Sequence, residues 1–113
     1  MKHTCSLQKN RDFQHVYKKG KSSGSKYLVV IVLKNNRGLN RLGISASKKV
    51  GHAVQRNRTR RRLKEAYRLL EQHVRSGHDI VILPRAGSAD AAYATLASQL
   101  KHLLHKQGML QSQ

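Results

Sequence analysis

Tryptophan is absent from this 113-residue chain; phenylalanine, proline and cysteine occur once each, and only five residues are acidic. Each shortage excludes something. With aromatics at 4%, the core must rest on Leu, Val, Ile and Ala, enough for one modest domain and not for two. The lone Cys5 cannot close an internal disulfide. The longest apolar run, Tyr27 to Leu33, falls far short of the ~20 residues that cross a bilayer. The basic start Met1-Lys2-His3 leads into no apolar segment of the secretory kind. A basic helix lying on lipid would need a bulky Trp/Phe face, which this composition does not supply. A cytoplasmic location with no membrane partner is the expectation.

The shortage of acids has the largest consequence. Lys and Arg number 23 against five Asp and Glu, a formal net charge of +18 with all seven histidines neutral. A body of this size repels itself unless it meets a dense polyanion, and nucleic acid is the obvious one.

Read along the chain, Phe13, Val16 and Tyr17 recur at helical spacing over residues 10–18, with Gly20 at the place of a left-handed cap. Residues 21–26 are small and polar, a loop or a sheet edge. Tyr27 to Leu33 reads as a strand apolar on both faces. Asn35, Asn36, Gly38 and Asn40 supply turn chemistry, and Leu42 to Ser47 reads as the returning strand of a hairpin. A long helix spans about 54–75, with Leu63, Ala66, Tyr67, Leu70 and Val74 on one side and Asn57, Arg61, Lys64 and Arg68 on the other. Gly77 closes it, Asp79 to Leu83 forms a buried strand stopped by Pro84, and Ser88 can cap a last helix from about Ala89 to Lys106. Its inner stripe is Ala92, Leu96, Leu100, Leu103 and Leu104, and Gly108 stands beyond its end. The pattern predicts one α+β domain over residues 1–113, of α-β-β-β-α-β-α type with a central mixed sheet, and a frayed tail from Met109 to Gln113.

The charge is concentrated. Lys48, Lys49, Arg56, Arg58, Arg60, Arg61, Arg62, Lys64 and Arg68 put nine of the 23 basic residues into 21 positions, with Glu65 the only acid among them. Five arginines between 56 and 62 repel one another along a helix. A merely solvated face mixes both signs; this one calls for an external anion. The guanidinium fork suits phosphates and base edges, and the turn before the helix aims free backbone N–H groups the same way.

The segment from Lys48-Lys49-Val50-Gly51 through Ala53-Val54-Gln55-Arg56-Asn57-Arg58 to Arg60-Arg61-Arg62-Leu63-Lys64-Glu65-Ala66-Tyr67-Arg68 resembles the signature of the bacterial ribonuclease P protein subunit. The resemblance extends to Asp12-Phe13-x-x-Val16-Tyr17-x-x-Gly20-Lys21, to Arg41-Leu42-Gly43-Ile44 and to Gly77-x-Asp79-Ile80-Val81 with Arg85, covering nearly the whole chain. Thr59 stands where the family commonly has a basic residue, and Lys64 where arginine is common. The resemblance implies a ribosomal-protein-like α+β fold with a left-handed β-α-β crossover, against the usual hand. It implies a partner, the catalytic RNA of ribonuclease P, and a substrate, precursor tRNA, whose 5′ leader is removed to leave a 5′-phosphate. It assigns Lys48, Lys49, Arg56, Asn57, Arg58, Arg60, Arg61, Arg62, Lys64 and Arg68 to the RNA subunit. A cleft between the first helix and the sheet takes the leader, with Phe13 and Tyr17 as its aromatic contacts. Tyr27 would extend that platform, and Lys18, Lys21 and Lys26 would hold leader phosphates. No cofactor is implied for the protein alone; Mg2+ is required by the RNA-containing holoenzyme.

The inventory of side chains agrees. Two-metal hydrolysis needs gathered carboxylates, whereas Asp12, Glu65, Glu71, Asp79 and Asp90 are dispersed over four predicted elements, with Asp12 and Asp79 placed to cap or turn. His3, His15, His52, His73, His78, His102 and His105 offer imidazoles for acid–base chemistry, but no spacing selects a pair. His102 and His105 at i, i+3 are a weak zinc signal. Catalytic and metal residues are therefore expected to be none. Two rivals stand beside this reading: a ribosomal or chaperone-type RNA-binding protein without a leader cleft, and an autonomous basic ribonuclease.

Overall fold

The computed structural model describes residues 1–111. Its elements are β1 (Thr4–Ser6), α1 (Asn10–Lys19), β2 (Lys21–Gly24), β3 (Leu28–Lys34), β4 (Asn40–Ile44), α2 (Ala53–Leu70), β5 (His78–Pro84) and α3 (Tyr93–Lys106). Short 3-10 turns cover Glu71–His73 and Ser88–Asp90. The five strands form one mixed sheet in the order β1-β4-β5-β3-β2. β1 and β5 run parallel to β4, while β3 runs antiparallel to both β5 and β2.

The period-2 alternation of β3 and β5 builds a core on each side of this sheet. Leu28, Val30, Val32, Ile80 and Ile82 meet Leu63, Ala66 and Tyr67 of α2 and Leu96, Leu100, Leu103 and Leu104 of α3. Ile31 and Val81 face the other way, onto Leu7, Val16 and Phe13. Among the described residues, α1 and the segment carrying Leu7 before it cover that side.

The expected hairpin between β3 and β4 does not form. β5 lies between them, paired with β3 over seven residues from Leu28↔Pro84 to Lys34↔His78. Two doubly apolar runs both require a central place, and this order gives it to both. β1 escaped prediction because three polar residues carry no periodic signal; β2 proves to be the far edge strand. Gly20 is not a left-handed cap, having φ −77°; it is glycine because a Cβ would lie 2.6 Å from both Ile31 Cγ2 and the Val16 carbonyl oxygen. α2 stops at Leu70 and not at residue 75, and Gly77, with φ +85°, introduces β5. Val74 is still buried, but as a bridge to Leu110.

α3 starts at Tyr93, with Ala92 as its exposed N-cap and not part of the inner stripe. Ser88 does not cap it: the residue is fully buried within the 3-10 turn. The tail is not frayed through residue 111. Met109 is buried and the Gln111 amide donates to the His73 carbonyl at 2.7 Å; residues 112–113 lie outside the described residues.

Asp79 neither caps nor turns. It is buried, and Arg41 donates to it through Nε at 2.8 Å and Nη2 at 2.6 Å, with Asn35 adding a third bond at 2.8 Å. Asp12, in the first turn of α1, lies 3.4 Å from the same guanidinium. Burial pushes the Asp79 carboxyl up, but the bonds from Arg41 and Asn35 outweigh it and hold the group below its ordinary value. Asp79→Asn is expected to destabilise the fold by about 3 kcal/mol in denaturant unfolding, because the half-buried Arg41 guanidinium loses its main partner and keeps only Asp12 at 3.4 Å. A depressed folded-state carboxyl stabilises most above the unfolded value of about 3.9. The deficit of Asp79→Asn should thus be complete at neutral pH and fade as the pH falls through the lowered folded value.

Candidate nucleic-acid interface

α2 owes its position to a narrow inner stripe of Thr59, Leu63, Ala66 and Tyr67, all buried. Thr59 donates to the Gln55 carbonyl at 2.8 Å. The missing basic residue at 59 therefore belongs to the inner face, where a cation would be stranded. The helix opens at His52, whose amide donates to Gln55 Oε1 at 2.8 Å.

Its outer face is cationic, and most of its arginines are anchored. Arg56 donates to the Gly51 carbonyl at 3.0 Å, Arg58 to Ala89 at 2.6 Å and Arg62 to Ala91 at 2.9 Å. Arg60 donates to Asn57 Oδ1 at 2.7 Å and reaches the Ala46 carbonyl at 3.5 Å. A neutral carbonyl fixes a guanidinium without cancelling its charge. Arg68 alone is matched by an acid, donating to both oxygens of Glu65 at 2.6 and 2.9 Å; these bonds lower the Glu65 carboxyl and raise Arg68. Arg61, Lys64, Lys48 and Lys49 are exposed, and their side chains have no protein partner among the described residues. The predicted set is thus spread over the solvent side and both flanks of one helix, and over the loop that leads into it.

The aromatic pair lies across the sheet edge from this face. Phe13 and Tyr17 have ring centroids 6.2 Å apart, tilted at 51°. Phe13 is half-buried against the α1-side core, and Tyr17 is 36% exposed. Glycine at 43 makes room: a Cβ there would stand 2.5 Å from Phe13 Cζ. A cleft of about 410 Å³ runs beside the pair, walled by Gln14, Ile44 and Arg60. A second cavity of about 490 Å³ starts at Phe13 and continues past β1 and Leu42–Ile44 to Arg60, Arg61 and Lys64. Phe13, Ile44 and Arg60 border both. Two surfaces that the sequence reading kept separate therefore adjoin at Arg60.

The other leader candidates scatter. Tyr27 is a correction: it packs on the α2/α3 side of the sheet, its amide donating to Gln99 Oε1 at 3.0 Å, and does not extend the Phe13–Tyr17 platform. Lys26 stands over the Tyr27 ring at 5.3 Å. Lys21 is on β2, the sheet edge opposite β1, where its carbonyl accepts from Gln107. Lys18 is exposed in the last turn of α1. The sequence reading missed Ile44 and the spacing role of Gly43; the Arg41-Leu42-Gly43-Ile44 run was their only signal.

The carboxylates are dispersed and mostly engaged. Glu71 is buried and accepts the amides of Lys2 at 2.9 Å and His3 at 3.4 Å. Burial raises its carboxyl, yet Thr4 and these amides bring it below its usual value. Thr4 shares a 3.0 Å hydrogen bond with the Tyr67 hydroxyl, which burial pushes up. Among the described residues, no three His, Cys, Asp or Glu side chains come together as a metal site. No helix among them is long and apolar enough to cross a membrane.

Residues 1–108 match the family model described as Ribonuclease P. The ribonuclease P protein component of Clostridioides difficile is 47% identical over 104 residues, 91% of either chain. That of Alkaliphilus oremlandii is 43% identical over 112 residues, covering 99% of this chain and 98% of its own. Among solved structures, the RNase P protein of Staphylococcus aureus superposes with a TM-score of 0.83 at 34% identity, covering 93% of this chain and 96% of that one. The protein from Thermotoga maritima gives 0.82 at 33% identity, covering 89% and 96%. A match of this extent in sequence and in fold, on a chain whose charge lies along one helix, shows that it belongs to the ribonuclease P protein component family, the accessory protein subunit of an endoribonuclease.

Proposed function

We propose that the outer face of α2, with the Lys48–Lys49 loop, grips the catalytic RNA of ribonuclease P, and that the cleft beside Phe13 and Tyr17 receives the 5′ leader of precursor tRNA. The observation that carries this reading is the uncompensated cationic row. Arg56, Arg58, Arg60 and Arg62 are set in place by backbone carbonyls, and Arg61 and Lys64 project free between them. Preset donors lose less entropy when they meet phosphate. Their charge lets a folded polyanion assemble with fewer metal counterions.

The aromatic cleft opens onto this row at Arg60. An unpaired leader base can lie against Tyr17 while its phosphate turns toward the guanidinium. Lys18, exposed next to Tyr17 in the last turn of α1, is the lysine left to share that task; Lys21 and Lys26 belong to the opposite edge of the sheet and serve as general basic surface. The protein's part is affinity and position. Four of its five carboxylates are engaged by its own donors, which matches a division of labour in which RNA-held Mg2+ supplies the hydrolytic chemistry. The setting for such an assembly is the cytoplasm. A ribosomal or chaperone role is less favoured, since the family match runs through the cleft residues as well as the basic helix.

Reconstitution tests the whole reading. RNA-free protein should leave precursor tRNA intact, and protein with its cognate catalytic RNA and Mg2+ should release the leader and leave a 5′-phosphate. Cleavage by protein alone would reverse the assignment. In binding titrations across a KCl series, Arg61→Gln with Lys64→Gln should flatten the slope of log affinity for the catalytic RNA by about 1.4–1.8, two phosphate contacts at roughly 0.7–0.9 each. Tyr17→Ala should leave thermal unfolding near wild type while reducing the holoenzyme's preference for precursor over mature tRNA by about 1–3 kcal/mol, the worth of one stacked base.

A further inference from the structure

α2 and the start of α3 enclose a second recess, of about 330 Å³, lined by Arg58, Arg61, Arg62, Glu65 and Tyr93. Three of its five side chains are guanidinium groups. Arg58 and Arg62 each commit one nitrogen to the carbonyls of Ala89 and Ala91, at 2.6 and 2.9 Å, so both forks are fixed with further N–H groups to spare. Arg61 has no protein acceptor among the described residues. Glu65 is the one acid at this site, and it is already held by two nitrogens of Arg68. The hydroxyl of Tyr93 is shielded from solvent and has no hydrogen-bond partner among the described residues. Buried hydroxyls without partners are unfavourable and few in native proteins.

A recess of three guanidinium groups and an orphaned hydroxyl fits an anionic ligand with several acceptor oxygens. We infer that it seats one phosphodiester of the catalytic RNA, gripped by the fixed pair Arg58 and Arg62, closed over by Arg61, and met by the Tyr93 hydroxyl as a neutral donor. The inference rests on the RNA-binding reading above and adds to it a binding residue outside the basic helix. The carbonyls of Ala89 and Ala91 give the turn before α3 a task as well: it sets the spread of the two forks.

Tyr93→Phe tests it, since only the hydroxyl is removed. Full-length protein is titrated with full-length catalytic RNA over a KCl series, and unfolding of the free protein is followed in parallel. The variant should bind about two- to tenfold more weakly, the worth of one hydrogen bond, by the same factor at every salt concentration because no charge is lost. The free protein should unfold no earlier than wild type, because no bond is lost there. Combined with Arg62→Gln, the loss should be smaller than the product of the two single losses. Wild-type affinity for Tyr93→Phe, or a lowered unfolding temperature of the free variant, overturns the proposal. Lys64→Gln, outside this recess, separates the two claims. If it leaves the salt slope unchanged, the RNA-binding face itself is misassigned; if it flattens the slope while Tyr93→Phe binds like wild type, only the recess fails.

Discussion

Twenty-three cations and five carboxylates must share one small body, and the placement of four of those five organises the rest. Asp79 and Asp12 converge on Arg41 and fasten β4 to β5 and α1. Glu71 collects the amides of Lys2 and His3 and so pins β1 to the end of α2. Glu65 matches Arg68. The acids serve the architecture, and almost none remains to quiet the outer face of α2. A surface built this way carries an unrelieved repulsion that a polyanion removes on contact.

Within that face, charge and order have been separated. Arginines that would sweep wide cones of solvent are tethered at one nitrogen to carbonyls of the loops flanking α2 and α3. Each tether restrains a long side chain before any ligand arrives and leaves its charge intact. The neighbouring cleft follows the same economy of space. Gly43 lets Phe13 settle against the sheet, and Tyr17 stands exposed at the rim of a cleft that Arg60 also walls.

Much of this was legible in the residues. The amphipathic split of α2 was plain in its period, because Leu63, Ala66 and Tyr67 leave a single inner stripe and every neighbouring position is cationic or polar. The basic row and the helical spacing of Phe13 and Tyr17 needed no coordinates. Strand order did not follow, since a turn-rich stretch after β3 describes a hairpin and a crossover equally well; only two strands competing for the centre decides between them. Tyr27 misled because an aromatic residue opening a strand says nothing about which face it joins. The anchoring of Arg58 and Arg62 was invisible, as it depends on main-chain carbonyls 31 and 29 residues away. Short β1 carried no periodic signal, and the contact that holds the residues before it, from Glu71 to the amides of Lys2 and His3, spans 69 and 68 positions.

The location of β5 also bears on how the chain is made. β3 and β4 share no hydrogen bonds; each waits for the strand between them, which is encoded after the whole of α2. A polypeptide leaving the ribosome thus exposes two apolar strand flanks and a bare arginine helix until residues 78–84 emerge, so the β2–β3 and β1–β4 pairs join into one sheet only late. During synthesis the protein is most vulnerable to aggregation, and most attractive to stray nucleic acid, just before its middle strand arrives.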